Sequence, residues 1–272
     1  MNDPHVERLR YHLKANSVYY PVQFENPLPL FKDCGDFSIR LENENLTVEM
    51  KEHYATEEAA KKKVEEFLRD WLNWARFDFE WDLLYFKYER AEVIDRNPPP
   101  TVPGQCTLGC LNAGTSPRTF KATSTPLPLK VSEYPAPPTR FKATTEVETM
   151  WFRYQQYLQD KETCQSFGYF CLTLMESSTG IKKNARKEAS RIYKIKEDVL
   201  RKLSELTTVT GTQRDARKLK LGCSTGVPLT LVERQWICKA VKMLIRRKGE
   251  YDFDTAAGSS LEQITMNDLP KL

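Results

Sequence analysis

The spacing of the apolar residues changes along this 272-residue chain, and that change limits the possible folds more than any other feature. In the first hundred residues, apolar and polar positions alternate, as at Phe37, Ile39 and Leu41. A period of two is typical of strands with one buried face. After Pro138, apolar residues recur every three or four positions to about Lys248, as in amphipathic helices. The chain therefore predicts an α+β protein: a β-rich N-terminal domain with one long helix, followed by an α-helical bundle.

Local signals place the elements of the N-terminal half. Residues 37–50 show period two on both sides of a turn-prone stretch, which predicts a β-hairpin. Thr56 followed by two glutamates is a helix N-cap, and the apolar spacing then predicts a helix to Ala75. From Phe77 the alternation returns and predicts a long strand that continues toward Ile94.

The C-terminal half predicts helices separated by short breaks. Their apolar positions span 150–157, 167–174, 185–206 and 229–245. The third of these segments is expected to break near Lys194. Thr230 and Glu233 have the spacing of a capping box, which predicts the start of the last helix.

These patterns suggest three regions. We expect a β-rich α+β domain over 1–140, a helical bundle over 141–250 and a C-terminal tail over 251–272. Residues 97–140 are proline-rich and predict irregular, exposed structure, with short edge strands at 119–123 and 127–131.

Composition and motifs argue against several classes of protein. No apolar run is long enough for a membrane helix, and no membrane partner is expected. The seven cysteines are scattered and follow no export signal, which favours a reducing cytoplasm over a disulfide scaffold. Zinc-ligand spacing, phosphate-binding glycine loops and the hydrolase nucleophile motif are all missing, so we expect no cofactor and favour a protein that is not an enzyme.

Charge is concentrated in one segment. Residues 181–220 carry 13 basic and 5 acidic side chains, whereas residues 1–100 carry 14 basic and 20 acidic ones. Cations that project together from a helix can neutralise the phosphates of nucleic acid. The residues expected to make this anionic contact are Arg186, Lys187, Arg191, Arg214, Arg217 and Lys218. The same segment could instead be a solvated face, or it could dock on an acidic protein surface or at a homo-oligomer interface.

A helix-turn-helix is a sharper version of this hypothesis. Its apolar positions are roughly fitted by Ala189, Ile195, Leu200 and Leu203. The glycine expected in its turn is missing, because Tyr193 and Lys194 stand before Ile195.

The hairpin offers an enzymatic alternative. Asp36, Glu49 and Lys51 have the D…E-x-K form of metal-dependent nucleases, in which two carboxylates hold Mg²⁺ or Mn²⁺ and the lysine helps to activate water. An ordinary solvent-facing strand would carry the same residues.

Several segments resemble a group of uncharacterised bacterial proteins. They are LTVEMKEHYAT, AEVIDRNPPP, GTQRDARK, PLTLVERQWICKAVKMLIRR and ITMNDLPKL, and the resemblance extends over nearly the whole chain. The helical half also resembles HEPN-type bundles, whose ribonuclease signature is an arginine followed by a histidine. No histidine occurs after His53, so the resemblance implies a non-catalytic relative used for binding or dimerisation.

The leading hypothesis is therefore a cytosolic bacterial binding or adaptor protein that contacts nucleic acid through its basic helical half. The alternatives are the metal-dependent nuclease and a non-catalytic structural or oligomerisation subunit, for example of a defence or stress system.

Overall fold

The computed structural model describes residues 3–16, 22–78, 83–97, 128–208, 228–254 and 261–272, and the fold is α+β. The chain divides into two compact units: unit 1 is Met1–Leu68 with Phe79–Ala136, and unit 2 is Arg69–Asp78 with Pro137–Leu272. The strands are β1 (Pro4–Asn16), β2 (Val22–Phe24), β3 (Leu30–Asp33), β4 (Phe37–Glu42), β5 (Asn45–Met50), β6 (Leu83–Asp95) and β7 (Leu129–Val131). The helices are α1 (Glu57–Asp78), α2 (Thr145–Leu158), α3 (Cys164–Ser177), α4 (Ala185–Ile192), α5 (Glu197–Thr208) and α6 (Leu231–Phe253).

Unit 1 is built on a five-stranded antiparallel sheet with the order β3-β4-β5-β1-β6. The predicted hairpin is confirmed as β4 and β5, which pair from Phe37 opposite Met50 to Glu42 opposite Asn45. Strand β1 was not predicted, although Leu9, Tyr11 and Leu13 alternate and are all buried. The remaining two strands, β2 and β7, pair in parallel, and β7 lies within the short edge strand predicted at 127–131. The strand predicted at 119–123 lies outside the described residues.

Helix α1 covers one face of this sheet with its first three turns. The hydroxyl of Thr56 accepts a hydrogen bond from the backbone N–H of Ala59 at 3.3 Å, which confirms the predicted N-cap. Ala60 and Val64 are fully buried, and the ring of Phe67 meets that of Phe37 edge to face at 5.6 Å. The opposite face of the sheet carries polar side chains, as expected for an antiparallel sheet with one solvated side.

The strand predicted from Phe77 does not begin at that residue. Phe77 lies in α1, and β6 is described from Leu83, whereas residues 79–82 lie outside the described residues. The prediction was wrong because it used only the alternation of neighbouring residues. In the structure, the Phe77 ring packs edge to face on Phe141 and Trp151, which are distant in sequence and belong to the bundle. The distant rings therefore favour another helical turn over an early strand.

Unit 2 is a helical bundle with a continuous apolar core. The break predicted near Lys194 is present between α4 and α5, and the capping box of Thr230 and Glu233 opens α6. The C-terminal residues 261–272 also belong to the bundle, because Ile264 and Leu269 are buried in its core. Within the described part of the chain, no helix combines the length and apolar character required to cross a bilayer.

Candidate anion-binding groove

The turn between α4 and α5 is the structural centre of the candidate site. Lys194 adopts a left-handed conformation with φ of 50°, in the four residues that separate α4 from α5. Ile195, the next residue, is fully buried and forms a parallel bridge with Ile264. The N–H of Lys196 donates to the carbonyl of Ile264 at 2.9 Å, and the N–H of Ile264 donates to the carbonyl of Lys194 at 2.9 Å. The C-terminal segment therefore stabilises this turn.

Arg247 of α6 stabilises the same turn from the other side. Its guanidinium donates to the backbone carbonyls of Tyr193 at 2.9 Å and Lys194 at 3.2 Å. It also donates to the carbonyl of Glu262 at 2.8 Å and pairs with the carboxylate of Glu250 at 3.0 Å. Burial lowers the pKa of Arg247, and the neighbouring Glu250 carboxylate opposes that shift. A buried arginine with these partners positions the turn without facing solvent.

A surface groove of about 600 Å³ opens beside this turn. Its walls come from the end of the α3–α4 loop, from α4, and from the α4–α5 turn. The charged residues that line it are Lys183, Lys187, Glu188, Arg191, Lys194 and Glu197. Four cations against two carboxylates leave a positive excess in a concave surface, where the fields of several charges add.

The cations of the groove differ in their partners. Arg191 pairs with Glu188 one turn away, and the hydrogen bond from Arg191 lowers the pKa of that carboxyl. Lys183, Lys187 and Lys194 form no ion pair with any other residue that the structure describes. Their ammonium groups are therefore available to an external anion. Three further cations in the same run that also form no such pair are Lys182, Lys196 and Arg201.

The six cations predicted from the sequence differ in where the structure places them. Lys187 and Arg191 line the groove together. Arg186 does not, because its guanidinium donates to Glu176 of α3 at 2.7 Å and to Ser204 of α5 at 3.1 Å. It joins three helices of the bundle. Arg214, Arg217 and Lys218 lie outside the described residues.

Two lysines of the groove were present in the basic run but were not selected from the sequence. Lys183 immediately precedes the N-cap of α4, and Lys194 lies in the break between helices. The helix break predicted near Lys194 was the available signal for this residue, because the break places it between α4 and α5.

The hairpin residues proposed for a nuclease do not form a shared metal-binding cluster. The backbone N–H of Lys51 donates to the carbonyl of Asp36 at 2.9 Å, but the side chains take separate partners. The carboxylate of Asp36 pairs with Lys63 of α1 at 2.5 Å.

The other two side chains of that motif are likewise engaged. Lys51 pairs with Asp33 at 2.6 Å, which lowers the pKa of that carboxyl, and Glu49 pairs with Arg8 at 3.3 Å. Among the described residues no group of three or more histidine, cysteine or acidic side chains is placed to hold a metal ion. The metal-dependent nuclease stays a prediction from the sequence.

A second groove, of about 620 Å³, lies on the polar face of the sheet in unit 1. Its arginines are neutralised within the protein: Arg10 pairs with Glu92 at 2.6 Å, and Arg40 pairs with Glu42 at 2.6 Å. Arg8 contacts both Glu49 and Glu92. This balance of charge distinguishes the sheet face from the lysine groove of unit 2.

Comparisons with protein-family models, with curated proteins and with solved structures give no match. The chemistry of the groove itself is therefore the basis for assigning a function.

Proposed function

We propose that this protein binds nucleic acid through the backbone phosphates, using the groove beside the α4–α5 turn. The observation that supports the proposal best is the position of Lys183, Lys187 and Lys194. These three ammonium groups come from three successive pieces of chain, line one concavity, and have no ion-pair partner among the described residues. Phosphate oxygens are the natural partners for clustered lysines, because each contact also releases condensed counterions.

The rest of the groove adds contacts that suit a nucleotide. Ile181 is 43% exposed at its edge and offers an apolar surface to a base or sugar. Asn184 and Ser190 supply an amide and a hydroxyl in the same lining. Contacts to backbone phosphates carry no sequence information, so the proposal is binding without sequence preference. The bacterial source, the cytoplasmic location and the HEPN kinship remain predictions from the sequence.

The test measures binding of the full chain to fluorescently labelled single-stranded RNA, single-stranded DNA and duplex DNA. Anisotropy titrations over a series of salt concentrations give the affinity and its salt slope. Each lysine–phosphate contact is worth about five- to eightfold in affinity at about 0.1 M salt. The triple variant Lys183→Ala, Lys187→Ala, Lys194→Ala should therefore bind on the order of 100-fold more weakly, with a salt slope smaller by about two to three units.

A matched control removes the same charge elsewhere. Lys62, Lys142 and Lys271 are exposed and are not among the residues that line the groove. Their triple alanine variant should retain most of the affinity. Equal losses in the two triple variants, or no loss in the groove variant, would refute the groove as the binding site. Retention on polyglutamate without affinity for any nucleic acid would instead indicate an acidic protein partner.

A further inference from the structure

Strand β6 forms one edge of the sheet in unit 1. It is 13 residues long, and among the described residues it pairs only with β1. At about 3.3 Å per residue, this edge offers roughly 40 Å of backbone. Long exposed edges pair readily with another strand, and natural proteins usually shorten, cover or charge them.

The side chains of β6 have an unusual symmetry. Large apolar residues are exposed near both ends: Tyr85 is 43% exposed and Ile94 is 41% exposed. Between them the exposed positions carry opposite charges, with Lys87 and Glu89 toward one end and Arg90 toward the other. Apolar positions at the two ends of the strand therefore flank charged positions of opposite sign. Such a sequence can be complementary to a second copy of itself that runs in the opposite direction.

An antiparallel pair of two β6 strands matches these groups in one register. With the two-fold axis between positions 89 and 90, Glu89 lies opposite Arg90 of the second copy. Lys87 then lies opposite Glu92, and Tyr85 lies opposite Ile94. By symmetry each pair occurs twice, so four charge pairs and two apolar pairs are formed across the new edge.

A β-bulge in β6 makes this register possible. Arg10 of β1 pairs with Arg90, and the next residue, Tyr11, pairs with Tyr88, so Glu89 is an extra residue in β6. Without the bulge, Lys87 and Glu92 would point to opposite faces of the sheet, because they are five residues apart. With it, positions 85, 87, 90, 92 and 94 share one face, and the opposed side chains can meet.

The neighbouring registers are unfavourable. A shift of one position places the axis on a residue that then faces its own copy, either Glu89 or Arg90. A shift of two positions places Glu89 opposite Glu92, or Lys87 opposite Arg90. Like charges directly opposite each other destabilise strand pairing, so among these registers only the one with its axis between 89 and 90 avoids this cost.

We propose that this protein forms a two-fold homodimer through antiparallel pairing of β6 with β6 of a second copy. The two five-stranded sheets then become one continuous ten-stranded sheet. The pairing adds inter-strand backbone hydrogen bonds and buries Tyr85 against Ile94. This interaction surface is separate from the lysine groove and does not depend on its function.

The test uses the full chain in analytical ultracentrifugation at micromolar concentration and moderate salt. The wild-type protein should sediment as a dimer. The variant E89R opposes two pairs of cations and R90E opposes two pairs of carboxylates, so each alone should dimerise on the order of 100-fold more weakly. Both positions are exposed, and Arg90 makes only a 3.7 Å contact with Glu92, so the fold of the monomer should be retained.

The decisive sample is an equimolar mixture of E89R and R90E. In the mixed pair each introduced charge lies opposite an opposite charge, and a heterodimer should form where neither variant alone dimerises. E66R, the same charge change on the exposed face of α1, should leave the dimer intact. A monomeric wild-type protein, a dimer that tolerates E89R, or a mixture that stays monomeric would each overturn the proposed interface.

Discussion

Gly249, inside α6, should resist substitution by alanine, although this change usually stabilises a helix. In an exposed helix interior, Gly→Ala gains about 1 kcal/mol of stability, because glycine loses more backbone freedom on folding. A Cβ at position 249 would lie 2.1 Å from Cε2 of Phe141, 2.5 Å from its Cδ2 and 2.8 Å from its Cζ. These distances are far inside van der Waals contact, so either the ring or the helix must move.

The Phe141 ring has little room to move. It is 2% exposed and meets Trp74 and Phe77 edge to face at 5.5 and 5.7 Å. Overpacking of a closed core costs about 1 to 3 kcal/mol, and an overlap this deep belongs at the upper end. After the gain in helix propensity is subtracted, Gly249→Ala should destabilise unit 2 by about 2 kcal/mol, or roughly 30-fold in the folded-to-unfolded ratio.

Urea denaturation followed by tryptophan fluorescence measures this loss, because Trp74, Trp151 and Trp236 all belong to unit 2. Gly168→Ala is a graded comparison in the same bundle. Its Cβ would meet only methyl groups, of Thr207 at 2.9 Å and Ile237 at 3.0 Å, so the loss should be smaller. A Gly249→Ala midpoint above that of the wild type, or no lower than that of Gly168→Ala, would refute the packing argument.

Two further predictions test other parts of the structure. Arg247→Met should destabilise unit 2 by about 3 kcal/mol, because it leaves the backbone carbonyls of Tyr193, Lys194 and Glu262 without their guanidinium donor. It should also weaken nucleic-acid binding through the displaced Lys194 turn. Its exposed neighbour provides the control: Arg246 also pairs with Glu250, at 2.8 Å, but that pair is its only hydrogen bond among the described residues. Arg246→Met should therefore cost much less stability and leave the affinity unchanged, and equal effects of the two changes would contradict the assigned role. Burial, together with the charge of Arg96, lowers the pKa of His5 below its usual 6.5. The folded state therefore binds a proton on His5 more weakly than the unfolded state does. This contribution to thermal stability should be fully present above about pH 6.5 and should be lost as the pH drops toward the lowered pKa. A His5→Asn variant with the same dependence of thermal stability on pH would contradict this reasoning.

The elements that the sequence predicted correctly are those specified by neighbouring residues. Thr56 and Thr230 each accept a hydrogen bond from the backbone N–H three residues ahead. A short segment of sequence is therefore enough to predict where these two helices begin. The β4–β5 hairpin is similarly local. Strand β1 was missed because its solvent side carries Arg8 and Arg10, and the glutamates that neutralise these arginines lie on β5 and β6. Such partners become visible only when the sheet is assembled.

The candidate site shows the same limit more sharply. Thirteen cations stand between residues 181 and 220, and in the sequence Arg186 and Lys187 are equivalent neighbours. In the structure, Arg186 is held by Glu176 and Ser204, whereas Lys187 faces an open groove. What separates a structural cation from an available one is therefore the position of its partner, and these partners lie 10 and 18 residues away. The number of cations that a basic helix offers to a ligand therefore depends on the tertiary structure. A count of basic residues in the sequence overestimates this number wherever a cation is paired within the protein.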